Sequence, residues 1–465
     1  MAYTLSKRIK LHTFYMMTPK AWKSKLHSDT IMFILIVVSI VTLVLETTLA
    51  RLYIFLYPGP QSLQFNTILF ATGIIIFSLS HSLILVNIRK RLKGLFKTSQ
   101  HTLKLVFQFI SIVQFVLSGL LILVLFQILI VLSYKTSLII GIVSISYISG
   151  IFNLIILSER FIRWIHSGRS YVSLLFGIAT FSILLNTIFT LMFIVGVLLT
   201  QTNDIGWHIG IMNATFSSFN DTLKQFYSVS FIISYVVTWF ATVTVLHTYS
   251  YRLGKVKFWA FAILPLLYII GEFQVFILPL LSEYRSADPV AFTVTYTLIF
   301  NTIKFGGAFF FGIGFWSMAR KIEQKSLKSF LIISAYGLIL LFVTNQATLL
   351  LNTLFPPLGL MTACFVGLSS FLLLVGTYSA AVSASNDVRI RKAIRSSVEK
   401  ESQLIGHIGD AELRMTLNAK VYSMMNKLPK RLQKDTQVES SLTDEDIKNY
   451  TNQVIQELIQ RKNSN

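Results

Sequence analysis

Residues 105–158 read LVFQFISIVQFVLSGLLILVLFQILIVLSYKTSLIIGIVSISYISGIFNLIILS, two long apolar runs joined by the short polar connector Ser133 to Ser137. A helix crosses the bilayer core with about 20 mostly apolar residues, whereas a barrel strand uses about ten in strict alternation. Neither run alternates, and each is too long for a barrel strand. In hydrocarbon every backbone group must find its partner within the segment, so both runs are read as transmembrane helices. The connector leaves them no choice but to lie antiparallel.

The same ruler carried along the 465-residue chain gives ten expected spans, at 31–50, 66–88, 105–133, 137–158, 171–200, 226–250, 258–281, 291–317, 329–352 and 358–383. Composition agrees: 54% of residues are hydrophobic, only 13% are charged, and the mean hydropathy is +0.65, well outside the range of soluble domains. The expected fold is all-α, a polytopic transmembrane helical bundle of about ten spans with a short helical cytoplasmic tail. Its organisation is a basic cytoplasmic N-terminal segment, 1–30, a ten-span domain, 31–383, and a cytoplasmic helical tail, 384–465. Single Cys364 lies in an apolar run, which excludes an intrachain disulfide framework and a multi-cysteine metal site.

Lysine and arginine are retained on the cytoplasmic side of short loops. The segments 1–30, 89–104, 159–170, 251–257 and 318–328 share one side and are all basic, whereas the opposite loops carry only Arg51, Lys135, Lys224 and Arg285. We therefore expect a multi-pass cell-membrane protein with both termini cytoplasmic. On this reading the net charge of +21 is a topology signal, and no nucleic-acid partner is expected. Among the outer loops only 201–225 is long; it holds N-x-T triplets at Asn213 and Asn220. It is too small to form a ligand-binding domain, so recognition of an outside molecule would take place among the helices.

One run carries a charge that needs an explanation. Residues 263–281, ILPLLYIIGEFQVFILPLL, place Glu272 near the middle of span seven, where a charge costs roughly 2.5–3.5 kcal/mol on insertion scales. Glu272 lies about 14 Å from the outer end of its span and Lys304 about 20 Å from the outer end of span eight, a difference that a lysine stem covers. A Glu272–Lys304 pair is expected, joined by Asn301 one turn from Lys304 and by Asn345 and Gln346 in span nine. Pro265 and Pro279 are expected to kink span seven on either side of Glu272. Three roles remain open for this polar cluster: a static interhelical fastener, a ligand or signal pocket, and an ion or proton path.

Small residues four apart, at Ser146 and Gly150, Ala308 and Gly312, Ala363 and Gly367, and at Gly376, Ala380 and Ala384, point to close helix contacts within the bundle or between protomers, so an oligomer is possible. No nucleotide loop, zinc-protease helix or nucleophile elbow is present. No catalytic residue, metal site or cofactor is expected, and an enzyme is not. Beyond span ten, Ile390, Ile394, Val398, Ile405 and Ile408 keep a helical stripe that needs a partner.

The passage LFVTNQATLLLNTLFPPLGLMTACFVGLSSFLLLVGTYSAAVSASNDVRIRKAIRSSVEKESQLIGHIGDAE, within residues 340–415, resembles the membrane-to-cytoplasm junction of archaeal multi-span membrane proteins, some of them sensor regions attached to histidine kinases. The resemblance implies a membrane-sensing module. The chain departs from those kinases, since His407 lacks the acidic and proline neighbours of a phosphoacceptor and residues 384–465 are not expected to supply an ATP-binding domain. Output would then pass through a cytoplasmic protein partner. The expected function is a non-enzymatic, sensor-like or signalling membrane protein; the alternatives are a transporter or channel built on Glu272 and Lys304, and a structural subunit of a membrane complex.

Overall fold

A computed structural model of the chain describes residues 32–43, 45, 60–97, 101–168, 171–201, 204–206, 218–247, 254–266, 282–320, 325–346, 350, 355–386, 408–409, 411–413 and 415–416. In chain order its elements are α1 (Met32–Leu43), α2 (Pro60–Lys97), α3 (His101–Val131), β1 (Ser133–Lys135), α4 (Thr136–Gly168), α5 (Tyr171–Leu199), β2 (Asp204–Gly206), α6 (Ser218–His247), α7 (Lys255–Ile263), α8 (Ser282–Ala287), α9 (Pro289–Arg320), α10 (Lys325–Thr344) and α11 (Leu360–Asn386). Among the described residues seven helices, α2 to α6, α10 and α11, are long and apolar enough to cross a membrane. The described residues form an all-helical bundle with one two-stranded patch. Of the other three expected spans, 31–50 and 258–281 extend beyond the described residues, and 291–317 lies within the 32 residues of α9.

Helix ends follow local chemistry. Asp288 Oδ1 accepts the Ala291 N–H at 2.9 Å, an N-cap, and Pro289 fills the first helical position of α9, where no donor is needed. At the end of α3, Leu132 takes a left-handed φ of 56° and closes the helix through its N–H to the Ile128 carbonyl at 3.1 Å. The next residues, Ser133–Lys135, pair antiparallel with Asp204–Gly206, so the connector read from sequence is a strand. α6 begins at Ser218, eight residues ahead of the expected 226, and buries Asn220 against Gly196 of α5. Polar residues stop a hydropathy ruler, but the helix runs through them: Asn220 and Leu223 face the neighbouring helix while Asp221, Thr222, Lys224 and Gln225 are exposed.

The apolar part of α11 is wholly buried, whereas only 33% of that of α3 is, so α11 is the axis of the bundle and α3 lies at its rim. Small residues set how close the neighbours come. A side-chain carbon built on Gly337 of α10 would lie 2.3 Å from the Leu373 nitrogen, and one on Gly376 of α11 would lie 2.4 Å from the Ser334 nitrogen. On the other flank, Ser146 Oγ of α4 donates to the Ala363 carbonyl at 2.7 Å, Gly150 and Gly367 open space for Val366 and Ser149, and Asn153 Nδ2 reaches the Gly367 carbonyl and Ser370 Oγ, both at 3.3 Å. The small residues at 146, 150, 367 and 376 therefore serve contacts within one chain. Interhelical hydrogen bonds in membranes average about 0.6 kcal/mol each, so backbone proximity carries more of this packing than the polar bonds do.

The pairing runs Gly337 to Leu373 and Ser334 to Thr377, which makes α10 and α11 antiparallel; Ser146 to Ala363 and Asn153 to Ser370 make α4 and α11 parallel. With Gly73 and Phe77 of α2 against Met361 and Phe365, and Phe311 and Gly312 of α9 against Phe342 and Ile339, these registers put Arg89, Arg160, Arg320 and Lys328 at one end of the bundle, here called the basic end. At the other end Tyr134 of β1 stacks on Phe355, with centroids 5.9 Å apart and planes at 3°. Burial pushes the Tyr134 phenol well above its ordinary pKa.

Candidate functional site

α10 does not run to residue 352. It ends at Thr344, opposite the Thr187 region of α5, about 18 Å short of the far end of that helix. The break has a local cause. Asn345 N–H still bonds the Leu341 carbonyl at 2.9 Å, but Gln346 N–H turns back to the Thr344 carbonyl at 2.9 Å, and Gln346 Nε2 caps the Phe342 carbonyl at 3.0 Å. The chain between α10 and α11 therefore leaves the helix within the bundle, and Pro356, Pro357 and Leu358 are buried. Non-helical backbone at membrane depth persists where protein covers it or where it lines a cavity.

A neutral polar cluster forms at this break. Asn345 Nδ2 donates to Thr187 Oγ1 at 3.1 Å, while the Thr187 hydroxyl spends its only hydrogen on the Ile183 carbonyl at 2.8 Å. That arrangement fixes the amide orientation and turns Asn345 Oδ1 away from Thr187. Asn345 Oδ1 and Thr344 Oγ1 are buried with no hydrogen-bond partner among the described residues. Ser230 Oγ of α6 shares its one hydrogen between the Tyr227 carbonyl at 2.9 Å and Asn186 Oδ1 at 3.1 Å. Asn186, Ser234 and Asn345 then line a narrow cleft closed by Ile183, Phe231, Leu341 and Phe342. Below it, Phe342 packs on Phe311 at 4.5 Å and on Tyr235 at 6.0 Å, an aromatic floor toward the basic end.

α7 ends at a second break. After Ile263 the chain tightens into a single 3-10 turn, Leu264–Leu266, that contains Pro265. Proline offers no N–H, and two α6 side chains take up the carbonyls there: Trp239 Nε1 donates to Ala262 at 2.7 Å and Tyr235 Oη to Pro265 at 2.9 Å. Gly307 of α9 leaves the room that the Tyr235 hydroxyl occupies. Of the expected site residues, Asn345 and Gln346 lie at the α10 break, and Asn301 and Lys304 fall on α9, with their side chains outside the described residues. Glu272 and Pro279 lie outside them as well.

The sequence reading passed over Asn186 and Thr187, although an amide beside a hydroxyl in the middle of an apolar run is a signal that depth alone would have raised. It also passed over a second constellation at the basic end. There the helical residues 408–409, 411–413 and 415–416 are folded back on the bundle, with Ile408, Ala411 and Glu412 buried. Trp164 Nε1 of α4 donates to Glu412 Oε2 at 3.0 Å, and Ser167 Oγ to the Ala411 carbonyl at 3.3 Å. Gly409 lies against Ala384 of α11, and the Arg160 guanidinium covers the Tyr378 ring at 4.7 Å.

In chemical terms the α10 break offers hydroxyl and amide oxygens to a donor, and the basic-end clamp offers one carboxylate held by an indole. Among the described residues no three His, Cys, Asp or Glu side chains converge as a metal site. Comparison of the chain with protein-family models, with curated proteins and with solved structures gives no match in any of the three.

Proposed function

We propose that the chain is a non-enzymatic, sensor-like membrane protein that acts through a cytoplasmic partner. Both termini are cytoplasmic, and residues 384–465 are the output. The observation that carries this reading is α11: it passes the level of the buried polar break near Phe365, runs through the centre of the bundle, and ends at the basic end against the docked residues around Glu412. A ligand that satisfies Asn345 Oδ1 would bias the break, and α11 is the rod that moves with it.

The test uses the full chain in vesicles, with Ala411→Cys as a reporter and Cys364 buried and silent. Trp164→Phe or Glu412→Ala is expected to raise maleimide labelling at 411 by about ten-fold or more, from the roughly 1.5–3 kcal/mol of a hydrogen bond to a charged group. Unchanged labelling would remove the clamp from the mechanism. The same vesicles address the transporter reading, which the interrupted α10 favours because broken helices build substrate sites in many transporters. Solute flux that Glu272→Gln abolishes would establish transport and displace the sensor.

Orientation is tested separately. Phe96→Cys and Tyr450→Cys are expected to label only from the cytoplasmic side, and Met212→Cys only from outside. Labelling of position 212 from inside overturns the ten-span topology.

A further inference from the structure

Between α1, α9 and α10 an open crevice faces the surroundings of the bundle. Its floor is apolar: Ile36 and Ile40 of α1 and Ile339 of α10 are buried, and Gly312 of α9 leaves the depth that Ile339 enters. Its rims are Phe33 and Trp316, each about two-fifths exposed, at 42% and 44%. In a membrane the medium that reaches such a face is lipid.

The mouth at the basic end is charged. Arg320, one turn beyond Trp316 on α9, lies over its ring at 4.9 Å. Lys328 is exposed one turn before Ile332 and two before Tyr336, so it continues the face of α10 that lines the crevice. α9 and α10 run antiparallel, with Phe311 against Phe342 and Gly312 against Ile339, and only residues 321–324 separate them. Both cations thus stand at one mouth, and among the described residues neither has an acidic partner. Tryptophan at a helix end is also the side chain that favours the headgroup level.

We propose that this crevice is a site for an anionic phospholipid: one acyl chain lies along Ile36, Gly312 and Ile339, and the headgroup phosphate meets Arg320 and Lys328. A zwitterionic lipid fits the same groove but forgoes the net attraction. The site uses the bundle and its lipid solvent alone, so it stands whether or not the sensor reading does.

Trp316 is the reporter. The full chain is placed in vesicles containing phosphatidylglycerol or phosphatidylcholine with brominated acyl chains, and the Trp316 signal is the difference between the wild type and Trp316→Phe. Brominated phosphatidylglycerol is expected to quench at a roughly ten-fold lower mole fraction than brominated phosphatidylcholine, the preference that two interfacial cations confer. Arg320→Gln with Lys328→Gln is expected to abolish that preference while quenching by phosphatidylcholine persists, which also shows that the variant is folded; either single change should reduce the preference in part. Inorganic phosphate at matched ionic strength should displace nothing. Equal quenching by the two lipids in the wild type, a preference that survives the double change, or displacement by free phosphate would each overturn the proposal.

Discussion

Gly337→Ala is expected to lower the stability of the detergent-solubilised protein by more than about 3 kcal/mol, at or beyond the upper range for overpacked cores. The added carbon would lie 2.3 Å from the Leu373 nitrogen and 2.8 Å from its Cα, and neither atom can move without shifting α11. Gly376→Ala is expected to act alike, because its carbon would meet the Ser334 nitrogen at 2.4 Å and the Phe330 carbonyl at 2.8 Å. Gly141→Ala in α4 is the control: nothing lies within 4 Å of the new carbon, and alanine gains about 1 kcal/mol of helix propensity over glycine. Thermal melts followed by size-exclusion fluorescence compare the three. If Gly337→Ala melts with Gly141→Ala, the close approach of α10 to α11 is wrong.

The second large effect concerns the charges in the apolar runs. Glu272→Leu alone or Lys304→Leu alone is expected to cost about 3–5 kcal/mol, because each leaves its partner charged and uncompensated, while the double change is expected to be close to neutral. Lys304 stands on α9 one turn before Ala308, and the contact of Phe311 with Phe342 sets Ala308 near the depth of Asn345. The lysine is thereby within about 6 Å in depth of the polar break. All four proteins must be compared in one membrane preparation, since protonation of Glu272 or outward reach of Lys304 would soften the single losses. Simple addition of the two losses would show that the residues are not a pair.

The spans that were legible in the sequence are those whose signal is one-dimensional. The expected 105–133 and 171–200 meet Leu103–Val131 and Tyr171–Leu199, because hydrophobic length is what the bilayer demands. Boundaries failed where a helix outlasts its apolar run. α4 continues from the expected end at 158 to Gly168, since Glu159 and Arg163 pair one turn apart and the backbone has no reason to stop at a charge. The end of α10 at Thr344 was hidden for the opposite reason, as Leu350 and Leu351 keep the run apolar beyond the break. The site was legible in part: Asn345 stood out, but its partner Thr187 is 158 residues away in sequence. Trp164 and Glu412 were likewise invisible, because an indole near one helix end and a carboxylate in a polar tail become a pair only once the chain folds back.

The central position of α11 bears on how the chain is made. Synthesis runs from the N-terminus, so the most enclosed of the seven long apolar helices is also the last of them to leave the ribosome. Until then Ser146 and Asn153 of α4 and Ser334 of α10 have no α11 backbone or hydroxyl to bond. The close approaches at Gly150 and Gly337 likewise wait for α11. The contacts that close the centre of this bundle can therefore form only once its last long apolar helix among the described residues has been made.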